Sequence, residues 1–178
     1  MDFALDEEQR AIADLAGRIL DEQQASSEKA WAELAKANLL GLCLPEDVGG
    51  SGYGFVEACI LFEQLGRTVA PVPLLPTLVS ALAIAELGTD EQRRRWLPGV
   101  VSGDVVLTAD IDGSRSLVPY AQQAAAVLLV DDDGVHIVER SELELERQQA
   151  GSGEPMFSTS HPTLRDFPAD SPGNSRKV

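Results

Sequence analysis

LPEDVGGSGYG, residues 44–54, is the stretch that decides how the first half of this chain folds. It carries four glycines within six residues, and it separates two segments with helical periodicity. The phosphate-loop pattern G-x-x-x-x-G-K-[ST] is absent, and no G-x-G-x-x-G follows a strand within a βαβ unit. A turn between two helices is therefore the favoured interpretation. A phosphate cradle and a turn that also lines a ligand cleft are the alternatives.

Two helices are predicted before this stretch. Asp6 and Gln9 form a capping-box pattern, and an apolar stripe at helical spacing follows: Ile12, Leu15, Ala16, Ile19 and Leu20. The second helix is expected over residues 28–40, with Gly41 at the C′ position, where glycine takes positive φ without strain. The LCLP segment after it is expected to be extended, because Pro45 cannot continue a helix.

Three further helices are predicted after the glycine-rich stretch. Residues 55–65 form the third helix, which Gly66 ends, and the proline-rich segment 68–76 links it to an apolar, buried fourth helix over residues 78–87. Thr89 opens the fifth helix with the capping box T-D-E-Q. The sequence thus predicts a mainly α fold, with an N-terminal α-helical bundle domain over residues 1–104.

The pattern changes after residue 104. Four short segments have strand character: VVLTAD (105–110), AAAVLLV (124–130), VHIVE (135–139) and LELER (143–147). DDDG, between the second and third of them, marks a hairpin turn. A partial antiparallel β domain is therefore predicted over residues 105–150. Residues 151–178 are rich in proline and serine and poor in aliphatic side chains, so a mostly disordered tail is expected there.

Charge and composition narrow the classes of function. The net charge is −15, from 14 basic and 29 acidic residues, and such a surface disfavours nucleic acid and anionic membranes as partners. Cys43 and Cys59 lie among apolar neighbours and are expected to be free, buried thiols in a reducing cytoplasm. His136 and His161 have no cluster of ligand residues nearby, so no metal site is predicted.

Polar chemistry is concentrated in LTADIDGSRS, residues 107–116. A strand ends there, and the turn after it carries Gly113 and Ser114, whose N–H groups and hydroxyl could hold the polar atoms of a cofactor. A plain β-turn explains the same residues. The helical part contains no Ser/His/Asp set and no convincing pair of carboxylates, so no catalytic residue is predicted.

Five segments follow one another in a recognisable order: FALDEEQ, WAELAKANLLGLCLPEDVGGSGYG, EQLGRTVAPVPLL, GTDEQRRRWLPGVVSGD and VVLTA. Together they resemble the N-terminal part of the acyl-CoA dehydrogenases, over residues 3–108 and more loosely to residue 154. The resemblance implies a flavoprotein with an N-terminal helical domain, a middle β domain and a C-terminal helical domain. It implies that a glutamate base and FAD oxidise an acyl-CoA thioester at Cα–Cβ. Electrons would then pass to an electron-transferring flavoprotein.

The resemblance also implies contacts with FAD at four positions: Leu107, Thr108, Gly113 and Ser114. The chain departs from the family pattern at Ala109 and Asp110, where the family has Glu-Pro, and its β region is shorter. The C-terminal domain that holds the family's catalytic glutamate is expected to be missing. The chain alone is therefore expected to hold FAD poorly and to show no dehydrogenase activity.

Two functions stay open at this point. The first is an acyl-CoA dehydrogenase-like flavoprotein that carries out FAD-dependent α,β-dehydrogenation of acyl-CoA thioesters, truncated and inactive alone. The second is a non-catalytic partner subunit, or a truncated chain, that binds a catalytic acyl-CoA dehydrogenase subunit. In either case the resemblance implies a homo- or hetero-oligomer with other acyl-CoA dehydrogenase chains.

Overall fold

The computed structural model describes residues 4–23, 26–110, 117–131, 134–148 and 156–160. Within these ranges, α-helices come first along the chain and β-strands follow. The helices are α1 (Glu7–Glu22), α2 (Ser27–Lys36), α3 (Phe55–Thr68), α4 (Leu74–Leu87) and α5 (Asp90–Ser102). The strands are β1 (Leu107–Asp110), β2 (Val118–Pro119), β3 (Ala126–Asp131), β4 (Gly134–Glu139), β5 (Glu144–Gln148) and β6 (Met156–Ser160). A helical domain followed by a partial β domain is therefore confirmed. No described helix is long and apolar enough to cross a membrane.

Both predicted capping boxes are present. At the start of α1, the Asp6 carboxylate accepts from the Gln9 N–H at 2.8 Å, and the Gln9 side chain accepts from the Asp6 N–H at 3.2 Å. At the start of α5, Thr89 and Gln92 make the same reciprocal pair, at 3.2 and 2.9 Å. Each box satisfies two of the N–H groups that a helix leaves unpaired at its N-terminus.

The end of α2 differs from the prediction. The helix stops at Lys36, and Asn38 takes the positive φ, at 55°, that was expected of Gly41. Asparagine tolerates this left-handed conformation better than most residues do. Gly41 instead allows close packing, since an added Cβ would lie 2.8 Å from the Asn38 side chain and 3.0 Å from Val101. The LCLP segment is a turn and is not extended, because this path buries the leucines on both sides of Gly41.

The boundary between α3 and α4 also differs from the prediction. Gly66 lies inside α3, which continues to Thr68. α4 begins at Leu74, inside the segment predicted to be a linker. Pro76 fits there because it lies in the first turn of α4, where a backbone N–H has no helical partner to lose.

The strands form two three-stranded sheets. β3 lies at the centre of the first, antiparallel to β4 as the hairpin signal predicted, and parallel to β1. The parallel pair was not expected, and residues 111–125 supply the long connection that such a pair needs. The second sheet has the antiparallel order β2-β6-β5. The expected disorder of the tail is wrong for Met156–Ser160, because Phe157 is buried against both sheets. The other residues of 151–178 lie outside the described ranges.

The first sheet is packed on both faces. Leu107, Ala109 and Leu128 face α4 and α5 in one apolar cluster. Val127 and Leu129, at the alternate positions of β3, face the second sheet in another cluster. A third cluster lies between α1, α2, α3 and the start of α4. This layering encloses β1 between the helical domain and the second sheet.

Candidate functional site

The glycine-rich connection between α2 and α3 is a shaped turn. Glu46–Val48 form one turn of 3₁₀ helix, and Gly49 and Gly52 take positive φ, at 90° and 69°. Gly50 allows two backbone segments to meet, since a Cβ there would lie 2.1 Å from the Leu44 carbonyl oxygen. The glycines therefore serve conformation and close packing, as the favoured interpretation predicted.

The backbone N–H groups of this connection are already used. Those of residues 48–50 donate to the carbonyls of Pro45 and Glu46, and those of residues 51–53 donate to the carbonyls of residues 41, 44 and 42. The Gly54 N–H donates to the Glu57 carboxylate at 3.0 Å. A phosphate cradle needs N–H groups that point at the anion without an internal partner. The phosphate interpretation is therefore excluded for this loop.

Carboxylates beside the connection give a second reason against a phosphate site. Glu57 accepts from Gln9 at 2.9 Å as well as from Gly54, and Tyr53 donates to Glu8 at 2.6 Å. The hydrogen bond from Gln9 lowers the pKa of Glu57, and the bond to Glu8 raises the pKa of Tyr53. This side of the connection therefore carries negative charge beside the N-termini of α1 and α3, which would repel a phosphate group.

β1 carries two of the four residues predicted to contact FAD, and both are fully buried. The Leu107 side chain lies in the cluster with α4 and α5. Thr108, next along the strand, donates its hydroxyl to the Pro119 carbonyl of β2 at 2.6 Å. Both side chains help to pack the layers together, and their contacts with FAD stay a prediction.

A buried threonine of α4 meets the same strand. The Thr77 hydroxyl donates to the Leu107 carbonyl at 2.9 Å and accepts from the Leu107 N–H at 3.3 Å. One hydroxyl thus satisfies both backbone groups of one residue at the strand edge. A lone threonine in an apolar helix had not indicated this role, since its partner lies 30 positions further along the chain.

The backbone of β1 presents polar groups at its free edge. The Val106 carbonyl points towards β3, where it accepts from the Ala125 N–H at 2.8 Å. Because backbone groups alternate along a strand, those of Leu107 and Ala109 point the other way. Thr77 occupies the pair at Leu107, whereas no described loop or side chain outside the sheet ladder bonds to the N–H or C=O of Ala109, a residue that is itself buried. Ala109 was not among the predicted site residues, although the alternation of a strand could have indicated it.

The donor and the acceptor at this edge can be compared with the groups of a flavin ring. The pyrimidine edge of a flavin ring offers both N–H and C=O groups, which match the donor and acceptor of Ala109. The predicted contacts at Gly113 and Ser114 lie outside the described residues. The described part of the site therefore provides a backbone edge at β1, and the Thr108 hydroxyl there already donates to Pro119.

The cysteines and Arg95 form no further cluster of reactive or ligand side chains in the part of the chain that the structure describes. The expected burial of both thiols is wrong, since Cys59 is exposed and Cys43 is only half-buried. Cys59 lies off the face of α3 that Ala58 and Leu61 bury. Burial raises the pKa of the Cys43 thiol to about 11. Arg95 pairs with Glu139 of β4 and lies over the Trp96 ring, 4.8 Å from its centroid. No group of three or more His, Cys, Asp or Glu residues that could hold a metal ion occurs among the described residues.

The chain folds as a helical domain joined to a β layer, with β1 at the edge of the first sheet. The chain matches the family described as "Acyl-CoA dehydrogenase, N-terminal domain" over residues 6–104. It therefore belongs to the acyl-CoA dehydrogenase family, as its sequence resemblance predicted.

Curated relatives agree with this assignment. Acyl-CoA dehydrogenase FadE12 of Mycobacterium tuberculosis is 27% identical over 157 residues, which cover 84% of this chain and 40% of FadE12. Acyl-CoA dehydrogenase FadE28 of the same organism is 30% identical over 158 residues, which cover 78% of this chain and 45% of FadE28. The chain thus spans less than half the length of these two relatives.

Solved structures show the same fold. A variant of the Tcur3481-Tcur3483 steroid ACAD is 36% identical, with a TM-score of 0.75, over 87% of this chain and 55% of that chain. The ChsE4-ChsE5 complex from Mycobacterium tuberculosis gives a TM-score of 0.76 at 24% identity, over 91% of this chain and 57% of that chain. At that identity the second similarity concerns the fold alone.

Proposed function

We propose that this chain is part of an acyl-CoA dehydrogenase-like flavoprotein, in which β1 and α4 contribute to a site for FAD and an acyl-CoA thioester. The backbone edge at Ala109 carries the proposal, because it presents one donor and one acceptor beside an apolar helix. FAD would supply the hydride-accepting chemistry at such a site. Family membership supports this class of reaction, α,β-dehydrogenation of an acyl-CoA thioester.

The residues of this chain would have different roles in binding FAD and the acyl group. Ala109 would bond to the flavin ring through its backbone, and Gly113 and Ser114, which follow β1 in the sequence, would bind the polar atoms of FAD. Leu107 and Thr108 would hold the strand between its two neighbouring layers. The apolar α4, which exposes Leu75 at its N-terminal end, would contribute to one wall of the acyl pocket, where it would exclude water.

The isolated chain is expected to hold FAD weakly, because the described site offers a single outward pair of backbone groups. A catalytic acyl-CoA dehydrogenase chain that covers this edge should strengthen the binding. An electron-transferring flavoprotein would accept the electrons. The large negative charge and the two free thiols support a cytoplasmic location.

The test is a titration of FAD fluorescence with the purified chain, alone and with a catalytic acyl-CoA dehydrogenase chain present. Ala109→Pro removes the outward N–H at a strand edge, where proline is tolerated. Ala109→Gly keeps the N–H and is the matched control. The proline variant should bind FAD about tenfold more weakly, since one hydrogen bond is lost. Equal affinities for the three proteins, or no FAD binding in either arm, would contradict the proposal.

A second candidate function is a non-catalytic partner subunit that binds a catalytic acyl-CoA dehydrogenase chain. Two large apolar side chains in the first turn of α3 favour it, because Phe55 is 67% exposed and Val56 is 58% exposed. The ChsE4-ChsE5 structure is itself a complex of two chains. Under this alternative, the two chains would co-purify, and Ala109→Pro would leave the flavin content of the complex unchanged. Phe55→Ser should then weaken the complex.

A further inference from the structure

Thr77 of α4 links the helical domain to β1 through side-chain hydrogen bonds, whereas Ser80 of the same helix bonds within α4. Thr77 is fully buried in a helix that is otherwise almost wholly apolar, and its hydroxyl bonds to both backbone groups of Leu107. A hydroxyl can donate once and accept at the same time, so it satisfies the N–H and the C=O of one residue. A strand edge of this kind would otherwise leave both groups unpaired inside the protein.

We propose that Thr77 is a positioning residue for the flavin-binding edge of β1. Its hydroxyl fixes Leu107, and Leu107 in turn fixes the outward N–H and C=O of Ala109, two residues further along. The proposal rests on the proposed function for the identity of the ligand, FAD.

The contacts of the strand give the physical reason. Thr77 holds Leu107 from the helical side, and the bond from Thr108 to Pro119 holds the next residue from the side of the second sheet. A backbone edge that is held on both sides loses little freedom when a ligand binds, so less of the binding free energy is spent on ordering it. Without the Thr77 hydroxyl, the Leu107 groups stay buried without partners, and the edge opens more often.

Two measurements on the 178-residue chain test this role. The first is amide hydrogen exchange at Leu107 and Ala109, resolved by NMR. The second is FAD affinity, by fluorescence titration with a catalytic acyl-CoA dehydrogenase chain present. Thr77→Val keeps the size of the side chain and removes the hydroxyl. Exchange at Leu107 should become about tenfold faster or more, and FAD should bind more weakly.

Three further variants separate the hydroxyl from packing. Thr77→Ser keeps the hydroxyl and should retain slow exchange and FAD affinity, although it loses a buried methyl group. Thr77→Ala differs from it only by the hydroxyl, so this pair replaces the valine variant if that protein does not fold. Ser80→Ala is the control in the same helix, because the Ser80 hydroxyl donates to the Pro76 carbonyl within α4 at 2.7 Å. It should leave exchange in β1 unchanged.

Wild-type exchange at Leu107 in Thr77→Val would overturn the proposal. Equal effects of Thr77→Ser and Thr77→Ala would also overturn it, since packing and not the hydroxyl would then hold the strand. If the wild-type chain binds no FAD in either arm, the proposed function fails by itself. Exchange at Leu107 and Ala109 would still decide whether Thr77 holds this edge.

Discussion

Gly50→Ala should be the most damaging alanine substitution in the glycine-rich connection. An alanine Cβ at position 50 would lie 2.1 Å from the Leu44 carbonyl oxygen and 2.8 Å from the Gly41 carbonyl oxygen. Neither atom belongs to a flexible side chain. Both oxygens also accept hydrogen bonds, from the Gly52 and Ser51 N–H groups, at 2.9 Å each. Relief of the clash therefore requires a movement that strains or breaks these bonds.

The expected cost follows from these contacts. Overpacking of a filled site costs about 1–3 kcal/mol, and each hydrogen bond that is lost adds about 1 kcal/mol. The free energy of unfolding should fall by about 3–5 kcal/mol. For a chain of this size, each kcal/mol lowers the melting temperature by about 2–4 °C, so a drop of about 6–20 °C is expected.

Urea denaturation followed by circular dichroism measures this difference. Gly66→Ala is the matched control, since a Cβ at this position inside α3 would meet no atom within 4 Å. Alanine is the better helix former, so the control should be more stable than the wild type by about 0.5–1 kcal/mol. Equal free energies of unfolding for the two variants, or a Gly50→Ala protein as stable as the wild type, would refute the argument from close approach.

Three further predictions concern α3 and the thiols. Val69 ends α3 with φ at 50° and a side chain that is 83% exposed, so Val69→Asn should raise the free energy of unfolding by about 1 kcal/mol; an unchanged melting curve would contradict this. At pH 8 a thiol reagent should modify exposed Cys59 first, and Cys43 only slowly, because its pKa is about 11. The pKa of the Cys43 thiol is 9.0 in the unfolded chain and about 11 in the folded one. Burial of the neutral thiol therefore contributes to the free energy of unfolding below pH 9.0, and this contribution should be lost as the pH rises to about 11. Urea denaturation of the Cys59→Ser variant over this pH range measures the loss. Equal labelling rates at pH 8 would count against the burial of Cys43.

The described elements show which features could be predicted from the sequence. The capping boxes at Asp6 and Thr89 each join residues three positions apart, so their bonds depend on local sequence alone. The end of α2 was mispredicted because both Asn38 and Gly41 are residue types that can take a positive φ. Asn38 takes it, since Gly41 lies against Val101 of α5. Proline at position 76 indicated a linker, whereas it lies in the first turn of α4.

The sequence by itself determined the family, the helical domain and the absence of a phosphate-loop pattern. Motifs, helical periodicity and capping boxes each depend on residues that lie close together in the sequence. Only the tertiary structure decided which groups of the candidate site are free. The FAD contacts at Leu107 and Thr108 stay a prediction. The structure adds that Thr77 bonds to the backbone of Leu107, that the Thr108 hydroxyl donates to Pro119, and that the backbone groups of Ala109 point away from β3. These contacts join α4, β1 and β2 across long stretches of chain. The packing of the layers creates them, and no local pattern encodes that packing.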